Sequence, residues 1–275
     1  MIQKRYPEGK TKAFNITYDD GVLQDVRFVE MMNRYGLKGT FNLNSALMES
    51  EFAWTHPNGM TVQRLPLHMA AQLYRGHEVA SHTLTHPYLS QLTEAQVLEQ
   101  MAVDKANLER VTGRPVLGFA GPFHHWSPMI MDCARRCGFE YARNAEERYS
   151  YAPPEGYYDW SAGSYHVKPG FRDFVEGFFR TQEELALCQI VGHSYDLDAE
   201  NLWDYMESVL RRISEDETII SMTNLELVRY MKAMRKAVIT EDTVQNPSDI
   251  TLWFAKDGKV ICVAPTQILH LEEHT

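Results

Sequence analysis

Thr17-Tyr18-Asp19-Asp20-Gly21 closes an apolar run near the N-terminus. Lys12 to Tyr18 reads as a strand, so two adjacent carboxylates leave its carboxyl end and meet a glycine at once. Side chains on an extended segment alternate between faces, which gives Asp19 and Asp20 different surroundings and different work. Gly21 permits a backbone turn that other residues resist. Further along comes Ser81-His82-Thr83-Leu84-Thr85-His86-Pro87. One Asp with two His is a metal-ligand set that leaves room for water. The second Asp is then free to act as a base.

The segments around these motifs have a regular rhythm. After the first strand, Val22 to Tyr35 reads as a helix stopped by Gly36, and Lys38 to Asn44 as a second strand. Leu67 to Arg75 reads as helical, and Glu78 to Ser81 as a short strand running into the His pair. Thr93-Glu94-Ala95-Gln96 opens a helix as a capping box, and Gly113 ends it. Val116 to Ala120 is a strand; Ser127-Pro128 starts a helix with proline at its first position. Phe139 to Arg143 is a strand, followed by a loop-rich stretch from Asn144 to Gly177. Leu187 to Val191 then reads as a strand ending in Gly192-His193. Asn201 to Ile213 and Leu225 to Lys236 read as helices on either side of a strand at Thr218 to Met222. Strands alternating with helices predict a parallel sheet with helical crossovers, closed or nearly closed as a barrel. Residues 1–236 form this barrel domain in the sequence reading. Residues 237–275 form an extension packed on it. There Ile250 to Val263 alternates around Lys256-Asp257-Gly258-Lys259, the pattern of a β-hairpin.

Composition narrows the function classes. The 275 residues carry 27 basic and 37 acidic side chains, for a net charge of −10. That balance speaks against nucleic acid or an anionic membrane as the main partner. No stretch is long and apolar enough to span a bilayer, and the first residues lack the apolar core of a signal peptide, so a cytoplasmic location is expected. Cys133, Cys137, Cys188 and Cys262 form no CxxC pair and fit a reducing compartment. The C-terminal extension either pairs across subunits, as a surface for oligomerisation, or merely covers the barrel.

The candidate polar residues share one placement. Asp19 and Asp20 follow the first strand, His82 and His86 a later one, Pro122 and Phe123 the strand ending at Ala120, and His193 the strand ending at Val191. In parallel barrels the carboxyl ends of the strands face the active site. An HxxxH pair alone is a weak signal; with the Asp-Asp-Gly at a strand end, the metal reading leads.

Thr17-Tyr18-Asp19-Asp20-Gly21 and His82-Thr83-Leu84-Thr85-His86, in this order, resemble the first two motifs of the polysaccharide deacetylases, the NodB-homology group of carbohydrate esterases. The resemblance spans roughly residues 12 to 235. It implies a distorted (β/α) barrel with one divalent metal, held by Asp20, His82 and His86, and Asp19 as catalytic base. Zn²⁺ is the default for such a ligand set, with Co, Ni, Mn or Fe as alternatives. Such a metal brings the pKa of its water to about 7. Phe119-Ala120-Gly121-Pro122-Phe123 resembles the third motif, with Ala120 where an Arg that orients the base is usual and Phe123 where a Tyr is usual. Arg143, at the end of the next strand, is the substitute expected for that Arg; an ordinary surface ion pair is the alternative. His124 and His125 either line the pocket and contact substrate or form an exposed loop. Tyr158-Asp159-Trp160 resembles the Asp-Trp motif, with Asp159 tuning the acid or pairing with the orienting Arg and Trp160 walling the substrate pocket; local packing in an aromatic-rich loop is the equal alternative. Val191-Gly192-His193 resembles the last motif and makes His193 the general acid, with Ser194-Tyr195-Asp196 at the rim.

The resulting expectation is a metal-dependent hydrolase that removes acetyl groups from an acetylated sugar or oligosaccharide. Two alternatives stay open: hydrolysis of another small amide or imide on the same scaffold, and a sugar-binding pseudoenzyme.

Overall fold

A computed structural model describes residues 1–123 and 126–271. Nine parallel strands make its main sheet: β1 Lys12–Asp20, β2 Thr40–Leu43, β3 Glu78–Ser81, β4 Gly118–Ala120, β5 Tyr141–Glu147, β6 Trp160–Ala162, β7 Ser164–Tyr165, β8 Ala186–Gly192 and β9 Ile219–Ser221. The hydrogen-bonded order is β7-β8-β1-β2-β3-β4-β5-β6, with β9 also paired to β1. The two ends of that path, β6 and β7, are consecutive pieces of one segment separated by Gly163. The first pairs with β5 and the second with β8, so the sheet curls back on itself as a distorted barrel. A Cβ on Gly163 would stand 2.0 Å from the main-chain oxygen of Gln189, so the segment crosses β8 only because this residue has no side chain.

Helices cover the outer face, as the alternating pattern predicts. Asp25–Arg34 links β1 to β2, Glu94–Thr112 links β3 to β4, Pro128–Arg136 links β4 to β5, and Trp203–Glu215 precedes β9. The Thr93–Gln96 capping box is formed, and Gly113 ends that helix in a left-handed conformation. Apolar side chains on the outward face of the sheet, including Phe14, Ile16, Tyr18, Phe41 and Leu43, pack with the helices in one core. The inward face of β1 is polar. Asn15 bonds Met222 and Gln189, and Thr17 accepts a bond from Asn42. Below them Glu78 accepts bonds from Thr40, Tyr141 and the Leu225 N–H at the start of the final helix, Asn224–Lys236.

Three sequence expectations needed adjustment. The helix after β1 starts at Asp25, because Gly21 and the residues after it turn first. The Leu67–Arg75 segment is a 3-10 turn at Leu67–Met69 followed by a short helix at Ala70–Leu73. The stretch from Asn144 to Gly177, expected to be loop, holds β6, β7 and the start of a helix at Phe171–Arg180, whose Phe171, Phe174, Val175 and Phe178 are buried. Tyr, Pro and Gly punctuation around these short elements masked their periodicity.

Antiparallel strands sit outside the barrel. Leu252–Lys256 and Lys259–Val263 form the hairpin expected around Asp257-Gly258, and Ile2–Arg5 pairs with its first strand. Val238–Ile239, Thr243–Gln245 and Ile268–His270 form a second small sheet. A further hairpin, Ala53–Thr55 with Thr61–Gln63, lies inside the long β2–β3 connection. No helix among the described residues is long and apolar enough to cross a membrane.

Candidate active site

The carboxyl ends of five strands supply one cavity of about 340 Å³. Asp19 and Asp20 come from β1, His82 and His86 from the turn after β3, Gly121 and Phe123 from the turn after β4, Arg143 from β5, and His193 from the end of β8. Asp20, Thr83, His86 and Phe123 all have positive φ, at 86°, 71°, 55° and 59°. Non-glycine residues enter that region only where surroundings hold them, and such strain gathers at functional sites.

The alternation of β1 separates the two carboxylates. Asp19 lies in register with Asn42 on β2, and its Oδ1 accepts from the Asn42 amide at 2.7 Å and from the Arg143 guanidinium. Burial pushes the Asp19 carboxyl up, but Arg143 beside it, with His82 and His193, outweighs this and holds it below the usual carboxylate range. Arg143 is itself fully buried and lies in register with Ala120.

Asp20 sits where the strand ends. One oxygen of each carboxylate or one nitrogen of each imidazole in the set Asp20, His82 and His86 lies within 4.8 Å of the others. His82 Nδ1 is 2.8 Å from the Ala120 carbonyl, which fixes the proton there and leaves Nε2 facing Asp20. Burial lowers the His82 pKa to about 4 and lowers that of His86 as well, so both imidazoles are neutral and can offer lone pairs. Asp20 Oδ1 is buried and accepts no hydrogen bond. A buried carboxylate oxygen facing two neutral imidazoles fits a divalent cation. The nearest cation is Arg64, whose Nη1 stands 2.8 Å from Oδ1 and donates to the main-chain oxygen of Asp20. Burial pushes the Asp20 carboxyl up, and Arg64 with the three histidines pulls it well below its usual range.

Across the cavity His193 forms a second pair. Its Nδ1 lies 3.0 Å from Asp196 Oδ2 and 2.5 Å from the Tyr165 hydroxyl, which donates to Asp196 at 2.7 Å. Nε2 is thereby turned toward the cavity, 3.7 Å from Asp20 Oδ2. Burial pulls His193 down, but the Asp196 bond and the charges of Asp20, Asp196 and Asp19 raise it to about 9. Aromatic rings frame the opening. Tyr195 stacks on His193 at 4.7 Å and meets Trp54 of the inserted hairpin edge-on at 5.5 Å; Tyr88 stacks on Phe123 at 3.9 Å.

Thus Asp19, Asp20, His82, His86, Phe123, Arg143 and His193 converge. Pro122 is buried and is not among the cavity-lining residues. Trp160, expected to wall the pocket, is buried against Tyr141 in the lower core instead. Asp159 is exposed and reaches Arg143 only through Asn144, which donates to it at 3.1 Å and accepts from Arg143 through its main-chain oxygen. His124 and His125 lie outside the described residues. Sequence reasoning passed over Arg64, Asn42 and Tyr165. Asn42 was findable as the in-register neighbour of Asp19; Arg64 carried no signal, because the fold of an insertion is not periodic.

Known proteins place this geometry. Residues 7–142 match the family model described as polysaccharide deacetylase. No curated protein matches the chain. Among solved structures, a Mycobacterium smegmatis protein assigned to the polysaccharide deacetylases aligns with a TM-score of 0.61 at 14% identity, covering 87% of this chain and 97% of its own. The Xyl-CE4 domain of a multidomain xylanase from the hindgut metagenome of Trinervitermes trinervoides aligns with a TM-score of 0.55 at 15% identity, covering 81% and 92%. The 4-alpha-glucanotransferase of Thermococcus litoralis aligns with a TM-score of 0.56 at 12% identity, covering 80% and 40%. At such identities these likenesses show the fold alone. The family model adds the sequence signature: residues 7–142 match the polysaccharide deacetylases, a family of hydrolases, and the fold agrees with that match.

Proposed function

We propose that the chain is a metal-dependent deacetylase that hydrolyses acetyl groups from an acetylated sugar or oligosaccharide. The observation that carries this is the grouping of Asp20, His82 and His86 within 4.8 Å, with an arginine-paired Asp19 on one side and an Asp196-paired His193 on the other. A divalent cation, Zn²⁺ by default, would be held by Asp20, His82 and His86 and would supply Lewis acidity to water and to the acetyl carbonyl.

The chain's own residues divide the proton work. Asp19 accepts the proton of the attacking water. Among the described residues both of its bonds fall on Oδ1, which leaves Oδ2 for that transfer. Arg143 keeps this base ionised and oriented. His193, held protonated by Asp196, gives its Nε2 proton to the leaving amine or alkoxide. The Phe123 N–H, in its left-handed turn at the cavity wall, is the donor assigned to the oxyanion. Tyr195, Phe123 and their ring partners offer apolar faces of the kind that stack on a sugar.

The test is acetate release from N-acetylated chito-oligosaccharides and O-acetylated xylo-oligosaccharides, with metal content measured in parallel. Wild-type protein should release acetate from one of the two sets. Asp19→Asn should keep its metal while losing roughly a thousandfold in rate. A fully active Asp19→Asn protein sinks the base assignment. Bound metal without acetate from any acetylated sugar moves the function to another small amide or imide.

A further inference from the structure

We infer that Arg64 is a positioning residue for the metal ligand Asp20: it fixes the carboxylate and compensates its charge at the ligand oxygen itself, and so weakens cation binding. The inference rests on the metal reading above.

Arg64 reaches the site from the inserted hairpin, and its backbone is clamped there. The Arg64 N–H donates to the Phe52 oxygen at 2.8 Å, the Leu65 N–H to Gly21 at 2.9 Å, and the Leu23 N–H to Gln63 at 3.0 Å. Arg64 and Val22 form an antiparallel bridge directly beside the Asp20 turn. The residue is 4% exposed, and its guanidinium carbon lies 5.0 Å from the centre of the Trp54 ring. A long cationic side chain so confined is not a surface arginine that settled on the nearest acid.

The guanidinium and the imidazoles meet at one carboxylate oxygen. Arg64 Nη1 stands 2.8 Å from Asp20 Oδ1, yet its hydrogen bond goes to the Asp20 main-chain oxygen. Oδ1 is buried and ion-paired to that guanidinium. That oxygen is the one nearest the imidazoles, 3.9 Å from His82 Nε2 and 3.5 Å from His86 Nε2. The charges of Asp20 and Arg64 sum to zero. A dication arriving here meets a neutral set with a fixed positive charge in contact, where Asp20 alone would have offered a net negative one. Burial limits the screening of that repulsion.

The experiment is titration of Zn²⁺ into the full chain, by calorimetry and by chelator competition, for wild type, Arg64→Gln, Arg64→Met and Arg64→Lys. Circular dichroism and thermal melting report folding. A neutral side chain at this position should tighten Zn²⁺ binding at least tenfold, and Arg64→Lys should stay within about threefold of wild type. Equal or weaker binding in a folded Arg64→Gln or Arg64→Met protein overturns the inference. So does failure of both neutral variants to fold, because the guanidinium would then serve the fold and not the metal. Absence of Zn²⁺ uptake in wild type and every variant removes the metal reading itself, and this inference with it. That outcome is distinct from equal affinities, which leave the metal site standing.

Discussion

Ala120 and Arg143 lie opposite one another on neighbouring parallel strands. In-register neighbours point to the same face of a sheet, so a guanidinium missing from one strand can be supplied by the next. Here it reaches Asp19, and Asn42, in register on the other side, reaches the same oxygen. The Asp-Asp pair was legible in the sequence because strand alternation is strict; the arginine exchange was legible only as far as the order of strands was. Trp160 was misplaced for a related reason: a motif gives a position in the chain, and the layer at which a ring packs depends on its neighbours. Arg143→Met leaves a buried carboxylate without its cation. We predict a fall in kcat of about a hundredfold with KM for the acetylated substrate nearly unchanged, and a loss of stability of about 3–5 kcal/mol. Acetate-release kinetics and urea denaturation measure the two parts. An Arg143→Met protein with wild-type kcat contradicts the orienting role.

Among the elements, the long periodic helices, the strands that end in chemistry and a sheet closed or nearly closed as a barrel could be read from the chain, and the strands that close it could not. Closure depends on two strands of three and two residues, β6 and β7, too short for a period to register. What fixes them is Gly163, whose missing Cβ lets the chain pass over the Gln189 carbonyl. Gly163→Ala should therefore destabilise the protein by at least about 2 kcal/mol, the scale of overpacking in a filled site. Gly156, in the same stretch, has open space where a Cβ would stand and provides the control. Urea midpoints for the two alanine variants settle the comparison; equal midpoints would show that β7 can yield to the added methyl. Because His166 follows directly and occupies the space beside Gly192, shifted closure should also disturb the His193 end of the site.

At the scale of the whole molecule, the barrel separates a catalytic end from a structural one, and both bury acids. At the structural end Glu78 joins β2, β3, β5 and the final helix through Thr40, Tyr141 and the Leu225 N–H. Burial outweighs those donors and raises its pKa from 4.5 to about 7. A carboxyl whose folded pKa exceeds its unfolded one binds its proton more tightly when folded. Its contribution is fully present below pH 4.5 and is lost as pH rises through about 7. The buried histidines act in the opposite sense. His77, His82 and His166 are lowered by burial from 6.5 to about 4, so their contribution is present above pH 6.5 and is lost as pH falls through about 4. The overall profile mixes the two, and a single substitution isolates one. Glu78→Gln keeps a polar group at the junction and removes the titration. Its stability relative to wild type should be least favourable below pH 4.5 and should improve by about 2 kcal/mol between about pH 5 and about pH 7.5. Urea unfolding of both proteins at a series of pH values gives that difference directly. A difference independent of pH would mean that the Glu78 carboxyl keeps an ordinary pKa, and that the junction of strands and helix holds a charge as readily as a proton.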